Sequence, residues 1–273
     1  MDNDQINSLV DPVIKMAVEA GRNILSVYEK TAIDVKTKED RSPLTLADTR
    51  SHNCLMQNLS PLGFPVLSEE GDIPEYENRK SRETFWLVDP LDGTKEFISR
   101  NGDFTVNIAL IHRQQPVMGV VYVPVSGELF VGAPELGARY VLIEQNDAGQ
   151  WKAKSKPLQA AGLPQKDGIR VVASRSHMNK ETEDAIFQLE KQYGKVHLTS
   201  RGSSLKLCMV ASGEAHVYPR FAPTMEWDTA AGHAVALHAG LEVVEPLTGV
   251  PLRYNKEDLH NPWFIVKSPE LRW

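Results

Sequence analysis

The second half of the sequence alternates between short apolar runs and segments of helical spacing, and this alternation constrains the fold most strongly. A strand that is followed by a helix and another strand builds an α/β layer, because the helix covers one face of the sheet. The predicted elements are, in order, strand 169–173, helix 180–192, strand 196–199, helix 203–210, strand 215–219, helix 229–239 and strand 241–244. We therefore expect an α/β C-terminal part.

The first half of the sequence mixes helical patterns with antiparallel strands. Apolar residues at helical spacing predict one helix over 5–29, and Thr45 with Asp48 forms a capping box that opens a second helix to about 59. Alternating residues over 104–133, interrupted by turn residues, predict an antiparallel meander. This part therefore reads as α+β.

The most polar stretch between the two patterns is 144–168, which contains scattered Gly, Lys and Pro. Such a change of composition is typical of a domain boundary. We expect an α+β domain over 1–150 that carries most of the candidate metal ligands, and an α/β domain over 151–273 that carries Asp228 and the contacts with the rest of the ligand.

Composition excludes several classes of protein. The chain has 273 residues and a formal net charge of −6, and an acidic chain is no general binder of long nucleic acids. Its longest apolar stretches, 106–111 and 117–123, are too short to cross a bilayer, and its N-terminus is acidic, so a cytoplasmic location is expected. Cys54 and Cys208 have no neighbouring partner, so we expect buried thiols without a disulfide or a cysteine zinc site.

An apolar strand predicted over 85–88 ends abruptly in two aspartates, Asp89 and Asp92. This spacing lets both carboxylates face one point while the Leu91 carbonyl projects between them, and hard oxygen donors of this kind suit Mg²⁺. The following Gly93 permits close approach of a ligand to the backbone. Asp, Pro and Gly are also common in ordinary turns. Considered without the rest of the sequence, this segment is slightly more typical of a turn than of a metal site.

Further carboxylates lie where predicted elements begin or end. Glu69 and Glu70 follow a strand over 64–67, Asp228 opens a helix, and Asp48 lies in the first turn of another. Taken singly, the glutamates are typical of a solvated pair and Asp228 of an N-cap. Together they occupy the positions where α/β ligand sites are built. Such a cluster is stable only with cations, and two divalent ions about 3.5–4 Å apart are a known arrangement for displacement at phosphorus.

Polar and cationic residues of the C-terminal part are candidates for binding the rest of a phosphorylated ligand. Ser174 and His177 follow a predicted strand, with a polar turn as the alternative interpretation. Lys206 lies on a predicted helix, where most lysines are solvated, and Arg220 follows the strand that ends near 219. Either cation could pair with a phosphate group.

Three ordered motifs resemble the lithium-sensitive, magnesium-dependent superfamily of inositol monophosphatases. They are Glu69-Glu70, the run DPLDGT at 89–94, and Trp227-Asp228 within WDTAAGHAVALHAG. The tripeptide Lys95-Glu96-Phe97 and the runs KEDRSPLTLAD, ASRSH, GSSLKLC and VYPRFAPT look like one branch of it, the CysQ-type 3′(2′),5′-bisphosphate nucleotidases. The resemblance covers nearly the whole chain.

This resemblance implies a layered αβαβα sandwich with the site between its two parts. It also implies an enzyme that hydrolyses adenosine 3′,5′-bisphosphate, a by-product of sulfate activation, to AMP and phosphate by two-metal activation of water. The expected cofactors are two Mg²⁺ ions, with a third held loosely. For similar proteins as a class it further implies peripheral association with the cytoplasmic face of the inner membrane.

The resemblance also assigns roles to individual residues. One Mg²⁺ would be held by Glu69, Asp89 and the Leu91 carbonyl, and the second by Asp89, Asp92 and Asp228. Asp48 and Thr94 would orient the attacking water, with the third ion near Glu69. The residues expected to contact the substrate are Glu69, Leu91, Asp92, Gly93, Thr94, Ser174, His177, Lys206, Arg220 and Asp228, the amides of Gly93 and Thr94 binding the departing phosphate.

Two alternatives stay open. An inositol or sugar phosphatase of the same superfamily would use the same metal ligands, although Lys95-Glu96-Phe97 and the cations Lys206 and Arg220 weigh against it. A non-catalytic sensor would bind the nucleotide without releasing phosphate. The pair Asp48 and Thr94 argues against a sensor, because a pure binder has no need to activate water.

Overall fold

The computed structural model describes residues 1–30, 35–37, 43–145, 151–165, 167–173 and 178–273. The helices are α1 (Asn3–Ser8), α2 (Val10–Tyr28), α3 (Leu46–Leu59), α4 (Tyr76–Arg79), α5 (Thr94–Ile98), α6 (Lys180–Tyr193), α7 (Leu205–Ala211) and α8 (Glu226–His238). The strands are β1 (Val35–Thr37), β2 (Pro43–Thr45), β3 (Val66–Ser68), β4 (Thr84–Asp92), β5 (Thr105–His112), β6 (Gln115–Val123), β7 (Glu128–Ala133), β8 (Gly137–Gln145), β9 (Trp151–Pro157), β10 (Ile169–Val172), β11 (Val196–Thr199), β12 (Val217–Arg220), β13 (Glu242–Val244) and β14 (Phe264–Lys267).

The larger sheet contains seven strands among the described residues, in the sequential order β3 to β9. Only β3 and β4 pair in parallel, and every later pair is antiparallel. The predicted meander over 104–133 is confirmed as β5, β6 and β7. It continues through β8 and β9, which were not predicted. Strand β9 is an edge strand whose exposed residues include Lys152, Lys154 and Lys156, and charged edges of this kind discourage pairing with other chains.

The smaller sheet has the strand order β11-β10-β12-β14-β13. Its first three strands are parallel, as expected for strands that alternate with helices. The predicted elements between 169 and 244 are confirmed within a few residues. The unpredicted strand β14 lies between β12 and β13 and runs antiparallel to both.

The side chains of β4 show how the layers are stacked. Trp86 points towards α2 and α3 on one face of the large sheet, whereas Phe85 points towards α7, α8 and the small sheet on the other. On the far face of the small sheet, Val171 packs with Leu189 of α6. The resulting order is helices, sheet, helices, sheet, helix, which confirms the expected αβαβα sandwich.

The helices differ from the predictions at two boundaries that matter. The single helix predicted over 5–29 is two consecutive helices, α1 and α2, which meet at Leu9. Helix α8 begins at Glu226, three residues before the predicted start, so Asp228 lies inside its first turn. The capping box of Thr45 and Asp48 at the start of α3 is confirmed.

The chain passes from the large sheet to the small one between Pro157 and Ile169. Strand β9 therefore lies beyond the predicted division at residue 150 and pairs with β8 of the large sheet, because its backbone completes that ladder. The division of the chain into two domains stays a prediction. Cys54 and Cys208 are free and buried, as expected. Within the described ranges, no helix is both long and apolar enough to span a bilayer.

Helix α8 lies unusually close to the large sheet because two strand residues that face it are glycines. A Cβ on Gly119 would lie 2.4 Å from the Ala231 carbonyl oxygen, and one on Gly132 would lie 2.7 Å from that of Ala234. Gly132, the penultimate residue of β7, is therefore a packing residue. These contacts fix the depth of the helix that carries Asp228.

We expect Gly119→Ala to lower the free energy of unfolding by about 2–3 kcal/mol, because a methyl group inserted against backbone forces the helix outwards. For a chain of this size the loss corresponds to a fall of roughly 4–12 °C in Tm, measured by calorimetry. Gly162→Ala is the matched control, since its Cβ would meet nothing within 4 Å. An unchanged Tm for Gly119→Ala would contradict the close packing.

Candidate functional site

The two aspartates of β4 are brought together by a β-bulge. Asp89 pairs with Asn107 and Asp92 with Thr105, so Pro90 and Leu91 together stand opposite a single residue of β5. Such a bulge bends the strand and re-aims its side chains. It is held by the Leu91 N–H, which donates to Asp89 Oδ1 at 3.0 Å. The segment that could have been a simple turn is therefore the bulged end of a strand.

Asp228 joins these aspartates from the other side of the cleft. One carboxylate oxygen from each of Asp89, Asp92 and Asp228 lies within 4.8 Å of the others. Asp228 Oδ2 also accepts the Met225 N–H at 2.8 Å, so the residue caps α8 and contributes to the cluster at once. Asp89 is buried, whereas Asp92 and Asp228 remain partly exposed to the cleft.

The electrostatics of this cluster favour a bound cation. Burial raises the pKa of Asp89 well above its usual value, and the charges of Glu69, Asp92 and Asp228 raise it further. Burial and the charge of Asp92 raise the pKa of Asp228 in the same way. Ionised carboxylates so close together need positive charge between them, and a set of oxygen donors fits a hard divalent cation.

Glu69 approaches the cluster from the neighbouring strand. It follows β3, and its N–H donates to the Val88 carbonyl at 3.1 Å, which continues the parallel pairing with β4. Its charge is among those that raise the pKa of Asp89. Behind it, the ring Nδ1 of His52 lies 2.9 Å from Ser68 Oγ. The predicted ligand Glu69 is thus beside Asp89.

Asp48 and Thr94 meet although 46 positions separate them, Thr94 Oγ1 donating to Asp48 Oδ1 at 3.3 Å. The other carboxylate oxygen, Oδ2, accepts from the Thr45 N–H at 2.8 Å and from Thr45 Oγ1 at 2.6 Å. The helix cap therefore uses one oxygen of Asp48 and leaves the other facing Thr94. Thr94 opens α5 directly after Gly93, whose φ of 91° is in the left-handed region that favours glycine.

Two residues to which the sequence analysis gave no role hold Asp92 in place. Asp92 Oδ2 accepts from the Ser204 N–H at 2.6 Å, and Ser204 Oγ lies 2.7 Å from the same oxygen. Asn107 Nδ2 donates to Asp92 Oδ2 at 3.3 Å and to Ser204 Oγ at 2.8 Å. Ser204 lies within the run GSSLKLC that carries the resemblance, but nothing local to Ser204 or Asn107 marks Asp92 as the partner.

Asp92 and Asp228 line a cavity of about 500 Å³, and the predicted cations Lys206 and Arg220 line it as well. Burial lowers the pKa of Lys206 to about 8. Its Nζ donates to the carbonyls of Ser203 at 2.6 Å and Arg201 at 3.2 Å, which leaves one of its three donors for a ligand.

Arg220 also has a donor to spare. Its Nη2 donates to the Pro223 carbonyl at 3.1 Å, while its buried Nε has no hydrogen-bond partner among the described residues. Buried donors are nearly always satisfied, so an unpaired guanidinium N–H in a cavity points to an anionic ligand. Ser174 and His177 lie outside the described residues, and their predicted contacts with the substrate stay predictions.

The chain is similar to known proteins of one family over nearly its whole length. The profile of the inositol monophosphatase family matches residues 6–268. The chain is 46% identical over 268 residues to the 3′(2′),5′-bisphosphate nucleotidase CysQ of Shigella flexneri, with 94% of this chain and 99% of that protein covered. It is 44% identical over 262 residues to the protein of the same name from Escherichia coli K12, with the same coverage.

Solved structures show the same architecture. The crystal structure of CysQ from Bacteroides thetaiotaomicron superposes with a TM-score of 0.84 at 49% identity, covering 97% of this chain and 98% of that one. The suhB protein from Bartonella henselae, at 23% identity, has a TM-score of 0.74 with 96% and 94% covered, and shows the shared fold alone.

Proposed function

The chain belongs to the inositol monophosphatase family, and from that premise we propose that it is a 3′(2′),5′-bisphosphate nucleotidase. It removes the 3′-phosphate of adenosine 3′,5′-bisphosphate and releases AMP and phosphate. The names of the relatives at 44–46% identity support this activity. In this proposal the reaction depends on Mg²⁺ and is inhibited by Li⁺.

The observation that carries the proposal is that acidic and cationic side chains line the same 500 Å³ cavity. Asp92 and Asp228 accept a phosphate there only together with metal ions. Lys206 and Arg220 have spare cationic donors, which bind a phosphate directly. A substrate with two phosphates on one ribose engages both sets of residues, whereas a simple monophosphate leaves the spare donors unused.

The carboxylates fit Mg²⁺ because they are hard oxygen donors whose mutual repulsion needs a cation. In the proposal, Glu69, Asp89 and the Leu91 carbonyl hold one ion, and Asp89, Asp92 and Asp228 hold the second. A third, loosely held ion near Glu69 belongs to the same proposal. When bound, such ions neutralise the phosphate and lower the pKa of an attacking water.

The chain's own residues then orient the water. Thr94 Oγ1 gives its proton to the hydrogen bond with Asp48 Oδ1, so its lone pairs are free to accept a hydrogen bond from the water. Asp48 Oδ1 is the atom that receives a proton through Thr94, since Asp48 Oδ2 is already engaged by Thr45. This arrangement is general base catalysis by a carboxylate that acts through a hydroxyl group.

The turn at Gly93 and Thr94 binds the phosphate that leaves. Both residues line the cavity, and the backbone bends there because Gly93 has a positive φ. Their N–H groups are neutral donors, so they stabilise the spread negative charge of a phosphoryl group without competing for the metal ions.

Metal removal and a panel of substrates test the proposal. We expect phosphate release from adenosine 3′,5′-bisphosphate with Mg²⁺, a loss of at least about 10³-fold in EDTA, and inhibition by Li⁺, since the metals supply several kcal/mol of charge stabilisation. Inositol 1-phosphate and fructose 1,6-bisphosphate are measured in parallel. Preference for inositol 1-phosphate would keep the metal site and reject the nucleotide substrate. Tight nucleotide binding without phosphate release from any substrate would favour a sensor.

Lys206→Met tests the cationic side of the cavity. We expect KM for adenosine 3′,5′-bisphosphate to rise by about 10- to 100-fold, because a charged hydrogen bond contributes about 1.5–3 kcal/mol. Hydrolysis of 3′-AMP, which lacks the 5′-phosphate, serves as the control and changes little. A KM that rises equally for both substrates would contradict the assignment of Lys206 to the second phosphate.

The pH dependence of KM follows from the same residue. The Lys206 ammonium is charged below its pKa of about 8, so its contribution to substrate binding is present at lower pH and is lost as the pH rises through 8. We therefore expect KM for the bisphosphate to rise above pH 8 in the unmodified enzyme. The rise should be absent in Lys206→Met, and a rise that persists in this variant would assign the titration to another group.

A further inference from the structure

A second cavity, larger than the first, lies on the outer side of the small sheet. It measures about 700 Å³, and none of its lining residues also lines the cavity that contains Asp92 and Asp228. One wall is a face of α6, the opposite wall is the turn over 245–248, and aromatic residues form the rest. We call it the aromatic groove and define it by Phe221, Trp263, Trp273, Glu181, Asp184 and Glu245. Its volume is in the range of small-molecule sites.

The aromatic rings of the groove form one cluster that water reaches. Phe221 is buried, and its ring lies 5.5 Å from that of Trp263 and 6.2 Å from that of Trp273. Trp263 is nevertheless 49% exposed and Trp273 38% exposed. Large rings gathered at the surface leave apolar area unburied, and such patches mark binding sites more often than single exposed side chains do.

The charged residues of the groove all have the same sign. Glu181 and Asp184 are three positions apart on α6 and so lie on one face of that helix, and Glu245 stands on the opposite wall. Glu245 is held by Thr248, whose Oγ1 donates to its Oε2 at 3.1 Å. None of the described residues that line the groove is a lysine, arginine or histidine. Carboxylates facing an aromatic cluster attract a cation and repel an anion.

We propose that the aromatic groove binds an organic cation with an apolar or aromatic body, the ring system packing against the body and the carboxylates pairing with the ammonium group. The negative charge of the groove favours a cation over an organic anion. Its tryptophan rings favour an organic cation over an inorganic one. The phosphorylated substrate of the first cavity is excluded by its charge. The groove is therefore a site for a different ligand from the substrate.

Three probes with one ring and different charges test this proposal: 2-phenylethylammonium, 2-phenylethanol and phenylacetate. Each is titrated into the Mg²⁺-loaded protein, and binding is followed by tryptophan fluorescence and by calorimetry. We expect the ammonium probe to bind at least ten-fold more tightly than the alcohol, and phenylacetate not to bind. Added salt should weaken binding of the ammonium probe and leave that of the alcohol unchanged.

Variants assign the binding to the groove. The double variant Asp184→Asn with Glu245→Gln should lower the affinity for the ammonium probe at least ten-fold while leaving that for the alcohol unchanged. Trp263→Leu should weaken both probes, since it removes part of the aromatic wall. The matched control is Glu190→Gln, an exposed acid of α6 that does not line the groove, and it should change nothing.

Several results would overturn the proposal. Equal affinity for the three probes would show that the groove does not recognise charge. Unchanged affinity of the double variant for the ammonium probe would show that the probe binds elsewhere. If the molecular mass in solution doubled as the protein concentration was raised, and probe binding was lost at the same time, a second copy of this chain would cover the groove. Absence of binding by the ammonium probe at millimolar concentration would reject the site.

Discussion

Asp92→Asn is expected to lower kcat/KM for adenosine 3′,5′-bisphosphate by about 10³-fold or more while the protein remains folded. Asp92 faces Asp89 and Asp228 in the carboxylate cluster, and its Oδ2 accepts the Ser204 N–H at 2.6 Å. An asparagine keeps an oxygen for that hydrogen bond but loses the negative charge that a metal ion needs. The measurement is phosphate release under saturating Mg²⁺, with folding checked by circular dichroism.

A thermal measurement separates this effect from a general loss of structure. Mg²⁺ binds the folded state, so it should raise the Tm of the unmodified enzyme more than that of Asp92→Asn. In EDTA the variant should melt no lower than the unmodified chain, because one of the repelling carboxylates has become neutral. Asp11→Asn, an exposed acid on α2, is the control. Near-normal turnover in Asp92→Asn would show that the metal assignment is wrong.

Asp48→Asn is expected to lower kcat by about 10²- to 10³-fold and to leave KM within about two-fold, since general base catalysis contributes in this range. The variant can still accept a hydrogen bond from Thr94 or from Thr45, but it cannot take a proton from the water that Thr94 holds.

The helix cap needs its own control, because Asp48 also stabilises the start of α3. Gln5 holds the corresponding position in the capping box of α1, its Oε1 accepting the Asp2 N–H at 3.3 Å, and it is far from Asp48 in the chain. Gln5→Ala should therefore cost up to about 1 kcal/mol of stability without changing kcat. If Asp48→Asn raised KM and left kcat unchanged, a role for Asp48 in water activation would be untenable.

Local sequence patterns predicted much of the architecture. Helical spacing predicted a helix in the region of α1 and α2 and the helices α6, α7 and α8, the capping box predicted α3, and alternation predicted β5 to β7. Each of these signals depends only on residues that are close together in the sequence. Of the elements that were missed, β9 is a polar edge strand without such a signal, whereas the apolar residues of β8 and β14 form short continuous runs that do not alternate. Their pairing partners decide that they are strands.

In the candidate site, too, local sequence predicted some features and left others unpredicted. Carboxylates at the ends of elements were visible in the sequence, and so was the capping box of Thr45 and Asp48, since its two residues are three positions apart. The contacts of Asp92 with Ser204 join positions 112 apart, and the role of Asn107 depends on both. No local pattern encodes such pairs.

By itself, the sequence determined the alternation of elements, the turn chemistry at Gly93, the positions of the acids and the family resemblance, all of which depend on residue type and short spacing. The tertiary structure alone decided which acids meet. The bulge at Pro90 and Leu91 turns Asp89 and Asp92 towards one point, and glycines in β6 and β7 let α8 approach closely enough to add Asp228. These distances result from packing across layers, which residue order does not express until the chain is folded.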